Sequence, residues 1–323
     1  MKIIAELCQN HNGDFSVVRK MLKTAASAGA THAKIQHIYG KNLVYRPVFE
    51  NGLTEDGVTR AIKRPWAPEH KRLSSLELDD SECRHFVELC ESLEMVPMTT
   101  CFTRGDVERI HAQGFRSVKV ASYDCASFPM LRELAQRFDH IYVSTGATFD
   151  QEVEHAAFQL SQGAAKFSML HCVTQYPTPL ELTNLNRMVW LRQFASEVGF
   201  SDHSLVEEDQ LCVSKVALWL GADIVERHFT ILSASETRDG PVSITAQQLR
   251  ELSRFARLTR EDQLAELEEG YPNWRTAMKS TGAGMTENEM LNRDYYRGRF
   301  ATPRRAGAAR DTEMIFNWEE TPI

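Results

Sequence analysis

Two lysines and two histidines in this chain of 323 residues sit where side chains of their kind need a reason to be. Lys34 and Lys119 each interrupt an apolar run, Ala33-Lys34-Ile35 and Val118-Lys119-Val120. An ammonium buried in such surroundings is expensive unless an anion meets it. Three chemistries would supply one. The lysine could be a Schiff-base nucleophile, the pair could hold a phosphate or carboxylate ligand, or each could bridge internally to Glu6 or Glu226. Ser122, Ser144 and Ser201 favour the ligand, since hydroxyl and ammonium donors together cradle phosphate. His203 and His228 end the stretches SDH and ERH. Each alone reads as a hydrogen-bonded strand end. Together, with an oxygen from Glu226 or Glu6, they suit Mn2+, Fe2+, Co2+ or Zn2+, and spacing does not choose among these.

These residues share a pocket only if the chain folds to bring them together. Short β-branched runs alternate with longer segments of helical periodicity. Strands are expected near 2–7, 32–38, 96–101, 117–122, 140–145, 167–172, 197–202 and 223–229. Amphipathic helices are expected over 15–28, 80–94, 104–114, 128–138, 150–162, 184–196, 206–220 and 245–267. Eight βα units in about 270 residues predict a (βα)8 TIM barrel of the α/β class. A doubly wound open sheet is the alternative, without a GxGxxG turn to favour it. In a barrel, chemistry collects at the carboxyl ends of the strands. Every expected strand ends in polar residues there, from Glu6 on the first to Glu226-Arg227-His228 on the last.

The connection 39–79 lacks periodicity and carries Pro47, Pro65, Trp66 and Pro68, which reads as a functional lid or a disordered loop. The barrel domain is expected over 1–267 and a C-terminal extension, not a domain, over 268–323. A net charge of -7 argues against nucleic-acid partners, and no apolar run reaches the roughly 20 residues of a membrane helix. The start MKIIAELCQN does not resemble a signal peptide. Seven cysteines without CxxC spacing fit reduced thiols, so a cytoplasmic protein is expected. Cys101 and Cys172 read as packing residues, Asp79-Asp80 as a helix cap and Arg304-Arg305 as a solvated tail.

The ordered stretches AELCQNHNGD, AKIQHI, TTCF, VKVAS, VSTGAT, LHCVTQYPTP, NLNRM, VGFSDHS and IVERHFT resemble the sialic acid synthases over about residues 1–300. That family makes N-acetylneuraminate and its legionaminate and pseudaminate relatives. The resemblance implies a TIM barrel that condenses phosphoenolpyruvate with an open-chain aldose. The product is a 3-deoxy-2-keto sugar acid, with phosphate released. It also implies a divalent metal, usually Mn2+, with Mg2+, Co2+ or Zn2+ as alternatives. Metal ligation carries over to His203 and His228, and catalytic roles to Glu6, Lys34 and Lys119. Phosphoenolpyruvate binding carries over to Lys34, Thr100, Lys119, Ser122, Ser144, Thr174 and Ser201. Sugar binding carries over to Glu6, Asn10, Asp124 and Tyr176, with Asn10-His11-Asn12-Gly13 as the turn into the first helix.

Four departures bear on the acceptor. The sequence stops at NWEETPI, where the family's antifreeze-like domain would begin, and with it an arginine that a partner subunit places on the sugar's N-acyl group. The family's GPD reads Gly240-Pro241-Val242 here, Thr174 replaces Asn or Ser, and Cys8 replaces Gly. An atypical acceptor is therefore expected, and any homodimer would form through the barrel. A metal-dependent aldolase-type barrel and a noncatalytic relative that binds a sugar phosphate or a partner protein are the rival readings.

Overall fold

The computed structural model describes residues 1–279, 284–305 and 312–323. Eight parallel strands close into the expected barrel: Lys2–Cys8 (β1), His32–Gln36 (β2), Val96–Cys101 (β3), Ser117–Val120 (β4), His140–Ser144 (β5), Lys166–Cys172 (β6), Glu197–Asp202 (β7) and Ile224–His228 (β8). Each strand pairs with its sequence neighbours, and β1 closes the ring against β8 with Glu6 opposite His228.

The period-2 alternation of side chains sorts each strand into two faces. On β1, Ile3, Ala5 and Leu7 face outward into the main apolar core, which they share with Val18, Met21 and Leu22 of the helix Phe15–Ser27. The Asp14 carboxylate caps that helix by accepting the Ser16 N–H at 2.7 Å. The inward face carries a separate apolar layer of Ile4, Met98, Tyr142, Leu170 and Ile224. Two residues further along the same strands stand Glu6, Thr100, Ser144, Cys172 and Glu226, all lining one cavity. One apolar layer thus plugs the barrel, and the next layer toward the carboxyl ends is polar.

The connection 39–79 is structured, contrary to the expected structureless lid or disordered loop. It holds short helices at Val48–Asn51 and Trp66–Ser74 and a hairpin pairing Leu53–Glu55 with Val58–Ala61. The hairpin turns on Asp56-Gly57, with φ of 49° and 78°, the positive angles a two-residue turn requires. Its elements are too short to show periodicity. The expected helix 245–267 is two helices, Ala246–Phe255 and Arg260–Gly270, the second capped by Thr259. The expected 184–196 shortens to Arg187–Leu191.

Of the C-terminal extension, residues 280–283 and 306–311 lie outside the described residues. The helix Glu287–Tyr296 lies across the carboxyl ends of the strands, where Arg293 donates to the Ala147 carbonyl at 2.5 Å and Asn292 to the Thr174 carbonyl at 2.7 Å. The connection 39–79 meets this segment directly: Val44 N–H donates to the Arg299 carbonyl and Ala301 N–H to the Asn42 carbonyl. No helix among the described residues is long and apolar enough to cross a membrane.

Behind the ends of β7 and β8, Arg227 and Asp202 form an ion pair at 2.5 Å with 0% and 1% of their side chains exposed. Arg227 also donates to the Ser204 hydroxyl at 2.8 Å, while Asp202 accepts the Ser204 N–H at 2.9 Å. This cluster fixes the backbone that carries His203 and His228. Arg227→Met would strand the Asp202 carboxylate in the core, so unfolding free energy should fall by about 3–5 kcal/mol in denaturant melts. A loss under about 1 kcal/mol, the level of an exposed pair, would refute that role.

Candidate active site

The polar layer opens into a cavity of about 380 Å³ at the carboxyl ends of the strands. Glu6 and Lys34 lie opposite each other on β1 and β2 and form a buried ion pair. The Lys34 ammonium also donates to Thr100 Oγ1 at 2.9 Å. Lys119 of β4 reaches across the barrel to Glu226 of β8 at 2.8 Å. The second oxygen of Glu226 accepts from the Ser201 hydroxyl at 3.0 Å. Both lysines thus make internal salt bridges.

Water exclusion sets the electrostatics. Burial pulls the Lys34 ammonium down to about 7, against the attraction of Glu226 and with repulsion from Lys119. Burial would raise the Glu226 carboxyl, but Lys119 and then Lys34 hold it well below the usual carboxylate range. Burial lowers both His203 and His228, so each imidazole is neutral near pH 7 and has a lone pair to offer. Asp124 is pushed up to about 6 by burial, although Asn317 and Ser127 donate to it.

Thr100, Ser122, Ser144, Ser201, Asp124 and Tyr176 all line this cavity, as do Glu6, Lys34, Lys119, His203 and His228. Tyr176 stands edge-on to His203 with ring centroids 4.3 Å apart. Two expected site residues lie outside this lining. Asn10 lies outside the cavity lining; its Nδ2 donates to the Phe229 carbonyl and the Ser243 hydroxyl, both at 2.9 Å, while its Oδ1 is buried without a hydrogen-bond partner. It ties the turn after β1 to the exit of β8. Thr174 also lies outside the lining: it is fully buried, beneath the helix Glu287–Tyr296 that Asn292 anchors to its carbonyl.

Sequence reading missed the rim. Arg64, Glu69 and Arg72 come from the connection 39–79, Arg238 and Asp239 from the loop after β8, and Arg299 from the C-terminal segment. Glu69 gathers the guanidinium groups of Arg72 at 2.8 Å, Arg238 at 3.8 Å and Arg299. Against the upward push of burial, these arginines hold its carboxyl down to about 2. Only Asp239 had a local signal, since it directly precedes Gly240-Pro241.

A divalent metal fits the donors present. The His203 and His228 rings have centroids 5.3 Å apart, and His228 Nδ1 is buried without a hydrogen-bond partner. Among the described residues, Cys8, His228 and Asp239 are the group whose donor atoms all lie within 4.8 Å of one another. His203 is not in that group, and its Nδ1 lies 3.7 Å from Cys172 Sγ.

A model described as the NeuB family matches residues 21–265. An N,N'-diacetyllegionaminic acid synthase of Campylobacter jejuni is 30% identical over 262 residues, covering 77% of this chain and 73% of that protein. An N-acetylneuraminate-9-phosphate synthase of Homo sapiens is 28% identical over 261 residues, covering 79% and 69%. The crystal structure of N-acetylneuraminic acid (sialic acid) synthetase from Leptospira borgpetersenii in complex with citrate matches with a TM-score of 0.66. It is 22% identical and is covered over 90% of its length by 91% of this chain, a likeness of fold. Because the family match spans most of the barrel and the Campylobacter relative aligns over nearly three quarters of its own length, this chain belongs to the NeuB family.

Proposed function

We propose that the protein condenses phosphoenolpyruvate with an open-chain aldose, giving a 3-deoxy-2-keto sugar acid and inorganic phosphate. The observation that carries this reading is the cavity lining, where two buried ammonium groups stand with the hydroxyl-bearing Thr100, Ser122, Ser144 and Ser201, Lys34 donating to Thr100 directly. A hydrolytic or aldolase-type barrel would not need two lysines together with these hydroxyls. The synthase names of the relatives point the same way.

Lys34 and Lys119 are balanced by Glu6 and Glu226. An incoming phosphoenolpyruvate competes for the ammonium groups. Its phosphate and carboxylate take them over, and the serine and threonine hydroxyls complete the cradle. Lys34 then holds the anion in place, and this positioning is the entropic part of catalysis. Displaced from Lys34, the Glu6 carboxylate becomes a stronger base. The enol carbon bonds to the aldehyde carbon, whose oxygen takes the C=O electron pair as an alkoxide, leaving positive character at the carbon bearing phosphate. Water adds there, and Glu6 takes one of its protons and returns it to the alkoxide. The adduct collapses to the ketone as the C–O bond to phosphate breaks and the remaining hydroxyl proton leaves with the phosphate. His228 and its neighbour His203 would hold a divalent ion, which when bound supplies Lewis acidity toward the aldehyde oxygen. Arg64, Arg72, Arg238 and Arg299 outnumber Glu69 and Asp239 at the rim. The acceptor is accordingly an aldose with an anionic substituent.

Phosphate release from phosphoenolpyruvate, with neutral and phosphorylated aldoses and a divalent metal, tests the whole reading; no release with any aldose would refute it. Lys119→Met leaves Glu226 unpaired and removes an anion contact worth about 2–5 kcal/mol, so kcat/KM should fall at least roughly 30-fold. Glu6→Gln should lower kcat by about 100-fold or more while phosphoenolpyruvate still binds. Near-normal turnover in that variant would remove Glu6 as the base. Anion binding needs protonated Lys34, whose value in the free protein is about 7. KM for phosphoenolpyruvate should therefore rise between about pH 7 and 9, and Lys34→Arg should flatten the rise because arginine stays charged.

A further inference from the structure

We propose that Cys8, His228 and Asp239 form a thiolate-containing metal site on the cavity wall, selective for Zn2+, Co2+ or Fe2+ over Mg2+ and Mn2+. The three donor atoms lie within 4.8 Å of one another, a span one ion can bridge. The inference concerns the donor set of the ion and does not depend on the proposed reaction.

Three observations carry it. First, His228 is 8% exposed, and its Nδ1 has no hydrogen-bond partner, with an Asp239 oxygen 3.7 Å away. A buried ring nitrogen left unpaired in a polar cavity is a lone pair or a proton awaiting a ligand. Second, five of the seven cysteines, Cys83, Cys90, Cys101, Cys125 and Cys212, belong to the main apolar core, while Cys8 and Cys172 lie outside every apolar cluster and line the cavity. Of these two, Cys8 is the one whose sulfur lies within reach of both His228 and Asp239. Third, Cys8 sits at φ 45°, a left-handed conformation that glycine adopts freely and a thiol-bearing residue does not. Its N–H donates to Glu6 Oε1 at 2.5 Å, at the point where the β1–β2 register shifts. Strain of this kind persists where the side chain has a task.

The charges also close. One thiolate and one carboxylate neutralise a divalent cation, and the imidazole adds a neutral ligand. Thiolate with imidazole is a softer donor set than the oxygen ligands that suit Mg2+ and Mn2+. The ion that His203 and His228 would hold thus gains Cys8 and Asp239 as further donors, with His228 common to both pairs.

The test uses the full chain, stripped with chelator and titrated with Co2+ alone. A thiolate-to-cobalt charge-transfer band in the near ultraviolet is expected. Cys8→Gly should abolish the band and weaken Co2+ binding by at least the roughly 10- to 100-fold that an outer-shell partner is worth. Its melting temperature without metal should not drop, because glycine suits the left-handed backbone. Asp239→Asn should weaken binding and keep the band. Zn2+ should displace Co2+ at lower concentrations than Mn2+ does. No Co2+ binding, binding without the band, an unchanged band in Cys8→Gly, or displacement by Mn2+ as effective as by Zn2+ would each overturn the site. A band without phosphate release would keep this site and sink the reaction, and phosphate release without the band would do the reverse.

Discussion

Two ammonium groups and two carboxylates share a barrel interior from which water is largely excluded, and each is tolerable there only because of the others. Removing any one leaves a buried charge uncompensated, a penalty of several kcal/mol. The quartet draws on four strands, with Glu6 on β1, Lys34 on β2, Lys119 on β4 and Glu226 on β8. It therefore needs the closed ring, and the ring needs the apolar layer of Ile4, Met98, Tyr142, Leu170 and Ile224 beneath it. Packing supplies the stability and the polar layer above exploits it. The Arg227–Asp202 pair plays a related part behind β7 and β8, holding the backbone on which the two histidines stand.

Balanced internal charge also separates binding from structure. A floor carrying only lysines would be permanently repulsive, while a floor that holds its own counterions can exchange them for a ligand. The depressed Lys34 ammonium and the depressed Glu226 carboxyl are two aspects of one constraint: burial penalises every charge, and only the pairing decides which charges remain.

The barrel and its polar layer were legible in the sequence because both rest on a local period. Ile4 and Glu6, Met98 and Thr100, or Ile224 and Glu226 are two residues apart, so one strand reading places them on one face. Where the geometry is not periodic, a local pattern does not place a residue. Asn10 follows the end of β1, yet it lies outside the cavity lining with its Nδ2 on the distant Phe229 carbonyl. Thr174 follows a strand end, yet the Glu287–Tyr296 helix covers it. The hairpin within 39–79 did leave a local sign, Asp56-Gly57, that hydrophobic periodicity does not register. Arg72 and Arg299 meet on Glu69 only after 230 residues of intervening chain have folded, and no local pattern encodes that meeting.

Closure of β1 onto β8, with the C-terminal segment laid over the rim, has a consequence for synthesis. Glu6 leaves the ribosome before its neighbour His228, which follows more than 200 residues later, and Arg299 is later still. At about 5–20 residues per second, β1 waits on the order of 10 s or more for β8. During that time the nascent sheet has an open edge at β1.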